Sequence, residues 1–260
     1  MNDRGTLTPD RLFDLHRRVA LVTGGDRGLG FAMAAALAGA GATVILAARD
    51  ADGLMTAATR IREESGATVH VLPADLADRT QAEALVERCV ALAGRVDVLL
   101  ADAGVSVPEP VSSLSDAVWD QTLAINLSAT MLLTRAAVVG MTERGWGRII
   151  YVSSTFGEVS AAGRGAYSAS KAGLRGLARA AAIDLAPNGI TVNCIAPGPF
   201  ETDMTARTAA GTHEQFARAT ALGRWGQPAE LAGPILLLAS DAGSYITGTT
   251  LFVDGGYTAR

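Results

Sequence analysis

The chain has 260 residues, 49% of them hydrophobic, which is enough for the core of one large α/β domain. A net charge of −4 and a pI of about 5.4 argue against nucleic acid or an anionic membrane as the main partner. The two cysteines, Cys89 and Cys194, lack a metal-binding spacing and predict buried thiols in a reducing compartment. The three histidines are scattered, which disfavours a histidine-based metal cluster.

Residues 1–17 are polar, and we predict them to be an N-terminal extension to a domain over residues 18–260. The extension lacks the apolar segment typical of a signal peptide. No uninterrupted apolar run reaches the ~18 residues expected of a membrane-spanning helix. We therefore expect a cytoplasmic protein with no membrane partner.

The domain begins with an apolar, β-favouring run, Arg18–Thr23, then a glycine-rich turn and an alanine-rich helix, Phe31–Ala38. Gly24, Gly28 and Gly30 in the turn have the spacing G-x-x-x-G-x-G. Between a strand and a helix, such glycines let the backbone approach a pyrophosphate, and the helix N-terminus offers free N–H groups. A plain tight turn is the alternative, but this context favours a dinucleotide site.

The remaining chain alternates strand-like and helical segments without a linker or a repeat, which is typical of a doubly wound parallel sheet. Strands are predicted at Thr43–Ala48, Thr68–Leu72, Val96–Ala101, Arg148–Ser153, Ile190–Ile195 and Thr250–Val253. Helices are predicted at Asp52–Glu64, Thr80–Ala93, Asp116–Arg144, Ala166–Ala186 and Pro228–Ser240. The fold class is therefore α/β, a single doubly wound Rossmann domain whose parallel seven-stranded sheet is flanked by helices.

Tyr167 and Lys171 form a Tyr-x-x-x-Lys pair, and Ser154 precedes the tyrosine by thirteen residues. On a helix, residues i and i+4 share a face, so the lysine ammonium can approach the phenol and favour its phenolate form. Ser154 adds a hydroxyl that can hold a substrate oxygen beside the phenol. The pair alone also arises by chance on solvated helix faces, but the glycine turn favours proton-transfer chemistry at Tyr167.

Together these features resemble the short-chain dehydrogenase/reductase family from about Arg18 to Tyr257. The resemblance implies a catalytic tetrad of Asn126, Ser154, Tyr167 and Lys171. It implies a cofactor site formed by Thr23, Gly24, Asp26, Arg27, Gly28, Leu29, Gly30, Arg49, Asp75, Leu76, Ala103, Gly104, Tyr167, Lys171, Pro197, Gly198 and Thr202. The sequence departs from the family where Ala101-Asp102-Ala103-Gly104 stands in place of the usual Asn-Asn-Ala-Gly.

The resemblance also implies roles for individual residues. Tyr167 gives or takes the proton of the reacting oxygen, Ser154 orients that oxygen, and Lys171 acts on the tyrosine and binds the nicotinamide ribose. Asn126 would hold a water that links Lys171 to solvent. Asp75 would contact the adenine. The implied reaction is the NAD(P)-dependent interconversion of a secondary alcohol and a ketone by hydride transfer.

Charges near the second strand favour NADP over NAD, although NAD stays possible. Ala48 stands where NAD-binding relatives carry the acidic residue that bonds the ribose 2′-hydroxyl, and Arg49 follows it. Arg27 in the glycine turn is a second cation suited to a 2′-phosphate. Against NADP, carboxylates at Asp26 and Asp50 lie next to these arginines and would repel a phosphate.

The substrate is less defined by the sequence. The chain looks like the gluconate 5-dehydrogenase branch, and a sugar acid or other small hydroxylated molecule is the leading expectation; a 3-oxoacyl-carrier-protein reductase is the alternative. A polar, irregular segment at about residues 201–221 is the predicted substrate lid. Candidate pocket residues, which can also be solvated loop residues, are Ser106, Phe156, Glu158, Arg164, Arg207 and His213.

The resemblance suggests a homotetramer in which helices Asp116–Arg144 and Ala166–Ala186 pack against their copies. Both helices carry more small and apolar residues than a single buried stripe needs. Packing of both faces within one subunit is the alternative. A non-catalytic dinucleotide-binding sensor is the alternative functional class, and the intact tetrad argues against it.

Overall fold

The computed structural model describes residues 8–202, 205 and 210–259. The candidate Arg207, parts of the predicted lid and the first seven residues of the predicted extension lie outside this range. The described part of the extension contains a short helix, α1 (Pro9–Leu12). It also contributes the fully buried Leu15, whose backbone N–H donates to the carbonyl of Ala40 at 2.9 Å. Residues 8–17 therefore pack against the domain that follows.

One sheet of seven parallel strands organises the domain and confirms the predicted fold class. The strands are β1 (Val19–Thr23), β2 (Thr43–Ala48), β3 (Val69–Pro73), β4 (Val98–Ala101), β5 (Gly147–Val152), β6 (Ile190–Pro197) and β7 (Thr250–Val253). Their spatial order is β3-β2-β1-β4-β5-β6-β7, so the chain reverses its winding direction between β1 and β4. Such a reversal opens a crevice at the carboxyl ends of the strands, where ligands bind.

Helices cover both faces of the sheet. The longer ones are α2 (Gly28–Gly39), α3 (Ala51–Ser65), α4 (Arg79–Ala93), α5 (Asp116–Leu123), α6 (Ala129–Arg144), α7 (Gly165–Leu185), α8 (Ala210–Ala219) and α9 (Ala232–Ala239). Side chains of α2, α3 and α9 form the core on one face, and those of α4, α6 and α7 form it on the other. The central strands β1, β4, β5 and β6 are buried at every position, as expected for a parallel sheet between two helical layers.

The predicted strands and long helices are confirmed, with ends that differ by a few residues at most. Cys89 and Cys194 are buried free thiols, as predicted, and burial raises the pKa of both to about 12. The predicted irregular character of residues 201–221 was wrong in part, because α8 lies within them. His213 and Phe216 of α8 pack against the buried Trp225. Helix α8 is therefore stabilised by Trp225, which lies outside residues 201–221. The polar composition of the segment did not predict this contact.

The predicted helix Asp116–Arg144 is one continuous run, but a π-helical turn over Ala124–Ser128 separates α5 from α6. A wider turn of this kind re-aims the side chains it carries and is frequent at functional sites. Among the described residues, this run is one helix that is long and apolar enough to cross a membrane by length and composition, although it contains no uninterrupted apolar run of that length. It packs against α4 and α7, however, and core helices of globular domains pass the same test.

Candidate active site

Two adjoining clefts open at the carboxyl edge of the sheet, where β1 and β4 end. Both are lined by Gly24, Asp26 and Arg27 from the turn after β1, and by Ala103 and Gly104 after β4. The smaller cleft continues to the ends of β2 and β3, and the larger one continues to the ends of β5 and β6. The larger cleft has a volume of about 680 Å³, within the range of small-molecule and cofactor sites.

The glycine turn after β1 has the geometry that the sequence predicts. Gly24 and Gly28 adopt positive φ angles of 71° and 58°, a region that favours glycine. A Cβ atom on Gly30 would lie 2.1 Å from the carbonyl oxygen of Gly24, so no side chain fits there. Because α2 begins at Gly28, the backbone N–H groups of its first turn have no intrahelical partner, and Gly28 and Leu29 of this turn line the larger cleft. The turn is thus a cradle that can accept an anionic phosphate.

The predicted cofactor residues divide between the two clefts. The larger one is lined by Gly24, Asp26, Arg27, Gly28, Leu29, Ala103, Gly104, Tyr167, Lys171, Pro197, Gly198 and Thr202, and the smaller one adds Arg49, Asp75 and Leu76. Thr23 and Gly30 support the turn from behind: Thr23 Oγ1 accepts from the Ala103 N–H at 3.2 Å. The two nucleoside halves of a dinucleotide would fit the two clefts. The pyrophosphate that joins them would then lie on the glycine cradle between the clefts.

Charged side chains surround the smaller cleft, which collects the ends of β2 and β3. Arg49 is exposed at its rim. The carboxylate of Asp50 caps α3 by accepting the Gly53 N–H at 3.0 Å. The carboxylate of Asp26 is nearly buried and lies 3.6 Å from Nε of Arg27. Asp26 and Asp50 are the two carboxylates that we expected to repel a phosphate, and each of them is paired with another group of the protein.

Ser154, Tyr167 and Lys171 line the larger cleft together. Ser154 follows β5 directly, and Tyr167 and Lys171 lie on the first turns of α7. The Lys171 ammonium donates to the carbonyl of Val152 at 2.7 Å and lies 5.6 Å from the centroid of the Tyr167 ring. Lys171 is only 4% exposed, so its position next to the phenol is fixed. The arrangement can hold a carbonyl or alcohol oxygen between two hydroxyl groups, with a cation beside them.

Asn126 lies in the π-helical turn, behind the cleft, and its side chain is fully engaged within the protein. Its amide oxygen accepts the Val105 N–H at 2.8 Å, and its amide nitrogen donates to the Val105 carbonyl and the Ser170 hydroxyl, both at 3.0 Å. Asn126 therefore ties the loop after β4 to α7. The expectation that Asn126 holds a water that links Lys171 to solvent stays a prediction.

The predicted substrate residues differ in their position relative to the larger cleft. Ser106 lines the larger cleft and accepts a hydrogen bond from the Arg164 guanidinium at 2.7 Å, so Arg164 stands directly behind the lining. Phe156 packs edge-on against Tyr167, with ring centroids 6.5 Å apart. Glu158 is ion-paired with Arg175, and His213 stacks on Trp225. Of the described candidates only Ser106 lines the larger cleft, so roles in substrate binding for the others stay predictions.

Sequence reasoning missed several lining residues. Phe200 and Thr205 close the larger cleft beside Thr202, and Thr205 Oγ1 accepts the Thr202 N–H at 2.8 Å. Ser153 fixes α7 by donating to the Lys171 carbonyl at 2.9 Å. Adjacency to Ser154 and to Pro197-Gly198 was the only available signal for these residues.

Asp102 also lines the larger cleft and was noted in the sequence only as a departure from the family pattern. Burial raises the pKa of its carboxyl to about 7. The Lys171 ammonium opposes this rise, the Asp26 carboxylate adds to it, and a hydrogen bond from the Gly30 backbone opposes it.

The tight contact at Gly30 generates a prediction. Gly30→Ala should weaken NADPH binding at least about tenfold, or about 1.4 kcal/mol, because the Gly24 carbonyl must move and the cradle must open. Gly39→Ala in the same helix is the matched control, since no atom lies within 4 Å of its Cβ position. Fluorescence titration with NADPH measures both. Equal affinity of the two variants would contradict the role of the cradle.

Comparison with known proteins agrees with this geometry. Residues 24–258 match a family model described as enoyl-(acyl carrier protein) reductase. The 3-oxoacyl-(acyl-carrier-protein) reductase of Aquifex aeolicus is 36% identical over 242 residues, 93% of this chain and 98% of that protein. The cis-4-hydroxycyclohexanecarboxylate dehydrogenase of Sinomonas cyclohexanicum is 39% identical over 245 residues, 93% of this chain and 97% of that protein.

Solved structures place the same fold around a cofactor. The crystal structure of a gluconate 5-dehydrogenase from Burkholderia cenocepacia J2315, in complex with NADP and tartrate, matches with a TM-score of 0.92 at 33% identity. The match covers 97% of this chain and 100% of that chain. From its sequence, its fold and its site, the chain belongs to the short-chain dehydrogenase/reductase family and is an oxidoreductase acting on CH–OH groups.

Proposed function

We propose that the protein interconverts a secondary alcohol and a ketone with NADP(H), and that Tyr167 gives or takes the proton. The observation that carries this proposal is the convergence of Ser154, Tyr167 and Lys171 on one cleft, which the glycine cradle also lines. A non-catalytic dinucleotide sensor would not need this complete set. The bound nicotinamide would supply or accept the hydride, which is chemistry that no side chain provides.

The side chains divide the remaining work. Tyr167 transfers the proton at the reacting oxygen through its phenol, and Ser154 orients that oxygen by hydrogen bonding. Lys171 stabilises the phenolate that forms when Tyr167 gives up its proton, because its ammonium is held on the adjacent turn of α7. Asn126 has a positioning role, because its hydrogen bonds hold the loop after β4 against α7.

The proton-transfer role predicts the effect of a single-atom change. Tyr167→Phe should fold and bind NADPH but lose at least about a hundredfold in kcat, because general acid–base groups contribute on that order. Tyr245→Phe is the control, since that tyrosine is fully exposed and should keep full turnover. Steady-state kinetics with any accepted substrate measure the difference. Near-normal turnover by Tyr167→Phe would refute the assignment.

NADP is the proposed cofactor because of the cations near the smaller cleft. Arg49 and Arg27 line it, while the carboxylates of Asp50 and Asp26 are held by the α3 cap and by Arg27. Two guanidinium groups suit a 2′-phosphate. The related Burkholderia cenocepacia enzyme was solved with NADP, which supports the same choice here.

Arg49→Ala tests the cofactor preference. Losing one charge-assisted contact to a phosphate costs on the order of 1.5–3 kcal/mol, so NADPH affinity should fall at least about tenfold. NADH affinity should change little, because NADH lacks the 2′-phosphate. Arg60→Ala on α3, whose arginine pairs with Glu64, serves as a surface control. Equal weakening of both cofactors, or an initial preference for NADH, would contradict the proposal.

A small hydroxylated carboxylic acid, such as a sugar acid, is the proposed substrate. The Ser106 hydroxyl lines the cleft and accepts a hydrogen bond from the half-buried Arg164. The Arg164 guanidinium is therefore separated from a molecule bound in the cleft by the Ser106 side chain. Relatives include a dehydrogenase of a hydroxycyclohexanecarboxylate and a gluconate 5-dehydrogenase solved with tartrate. A 3-oxoacyl-carrier-protein reductase is the second candidate, supported by the Aquifex aeolicus relative.

Arg164→Ala separates a charged substrate from a neutral one. If Arg164 attracts a carboxylate, the variant should raise KM for gluconate or its keto form at least about tenfold, but little for cyclohexanone. Arg179→Ala, an exposed arginine further along α7, is the charge-matched control. Activity on acyl-thioesters alone, or an equal loss on both kinds of substrate, would refute the sugar-acid assignment.

A homotetramer in the cytoplasm is the proposed assembly and location. Most apolar side chains of the long helices are buried within the subunit, and Leu132 and Leu174 are examples. Apolar side chains that stay exposed on α5, α6 and α7 are Trp119, Val139 and Ile183, at 38%, 62% and 77% exposure. These helices adjoin one another, and burial of their exposed apolar side chains favours association.

Light scattering tests this assembly. At micromolar concentration the mass should be about four times the 26.7 kDa of one chain. Introducing charges with Val139→Glu and Ile183→Glu together should lower it, because buried charges oppose the interface. Met55→Glu on α3 is the control, since Met55 is 49% exposed on the other face of the sheet. A monomeric wild type would contradict the proposal.

A further inference from the structure

Arg175 lies one helical turn after Lys171 on α7, and none of the proposed roles uses it. Its side chain is only 19% exposed and reaches two other elements. Its Nη1 atom donates to the Gly157 carbonyl at 2.9 Å, and its Nε atom donates to Thr250 Oγ1 of β7 at 3.3 Å. One largely buried cation thus joins α7, β7 and the segment that follows Ser154.

The segment that follows Ser154 is a single turn of 3-10 helix, Thr155–Gly157. The turn is hydrogen-bonded to Ser154 itself, because the Gly157 N–H donates to the Ser154 carbonyl at 2.9 Å and the Phe156 N–H donates to Ser154 Oγ at 3.1 Å. Since Oγ is the acceptor in this second bond, its own O–H is free to donate to a substrate oxygen. The position of the turn therefore decides where the Ser154 hydroxyl points.

Gly157 is the residue at which this turn meets α7. A Cβ atom on Gly157 would lie 3.0 Å from the carbonyl carbon and oxygen of Lys171 and 3.0 Å from Ser153 Oγ. Packing limits how closely Gly157 approaches α7, and the hydrogen bond from Arg175 keeps its carbonyl from moving away. The guanidinium is itself fixed over the ring of Phe252 on β7, 5.5 Å from the ring centroid.

We propose that Arg175 is a positioning residue for the reaction: it fixes the turn Thr155–Gly157 and so aims the Ser154 hydroxyl at the reacting oxygen. The inference rests on the proposed function, because it requires that Ser154 orients that oxygen. Arg175 does not line the larger cleft, so its effect on turnover passes through Ser154. A misplacement of about 1 Å can cost up to about a hundredfold in rate.

Arg175→Met removes the donors but keeps an unbranched apolar stem. We expect kcat to fall at least about fivefold and the Kd for NADPH to change less than about twofold, because the glycine cradle and Lys171 stay in place. The probe reaction is the NADP-dependent oxidation of gluconate, or of cyclohexanol where gluconate is not oxidised. Arg179→Met, which alters an exposed arginine one turn further along α7, is the matched control and should keep the wild-type kcat.

A double-variant cycle tests whether Arg175 acts through Ser154. Ser154→Ala alone should lower kcat about a hundredfold, since it removes a donor to the reacting oxygen. Adding Arg175→Met to Ser154→Ala should then change kcat less than about twofold, because no hydroxyl is left to position. A general weakening of the fold would instead lower kcat by the same factor in both backgrounds. Arg175→Lys, which keeps the charge beside Glu158, carries the same cycle if Arg175→Met does not bind NADPH.

The outcomes separate this inference from the proposed function. A wild-type kcat in Arg175→Met, or losses that multiply in the cycle, would overturn the inference and leave the proposed function intact. Loss of NADPH affinity in both Arg175 variants would also overturn it, because Arg175 would then serve the fold as a whole. Wild-type turnover by Ser154→Ala, or a wild type that oxidises neither alcohol, would refute the proposed function and the inference with it.

Discussion

The close approach of Gly30 to the Gly24 carbonyl is the contact on which the site depends. It brings the first turn of α2 against the end of β1, so that the start of the helix lines the crevice where the sheet changes direction. The Asp102 carboxyl, which follows β4, lies beside the same contact and accepts a hydrogen bond from the Gly30 backbone. The cofactor cradle therefore has its geometric origin in the packing of α2 against β1.

The catalytic side of the cleft is positioned by helix α7 rather than by its loops. Tyr167 and Lys171 are one helical turn apart, and the helix is tied down at Ser153, at Val152 and, through Ser170, at Asn126. The π-helical turn that carries Asn126 adds a wider step to an otherwise regular helix, which lets the amide reach the loop after β4. Rigid elements thus hold the reacting groups, and variation in the surrounding loops can change the substrate.

Periodicity and turn chemistry predicted the sheet, its parallel strands and the glycine turn, because these depend on local residue patterns. They failed where a distant contact decides the outcome. Helix α8 is one such case, because His213 and Phe216 pack against Trp225, which lies outside the segment. The family resemblance supplied the names of the site residues, but only the packed structure indicates which charges face the clefts.

The most direct test of the central claim is a crystal structure of the protein with NADP bound. We expect the pyrophosphate on the backbone N–H groups at the start of α2, the adenosine half toward Arg49, and the nicotinamide ring beside Tyr167. The nicotinamide ribose should then lie within hydrogen-bonding distance of the Lys171 ammonium. Cofactor density at another place on the molecule, or a nicotinamide far from Tyr167, would contradict the account.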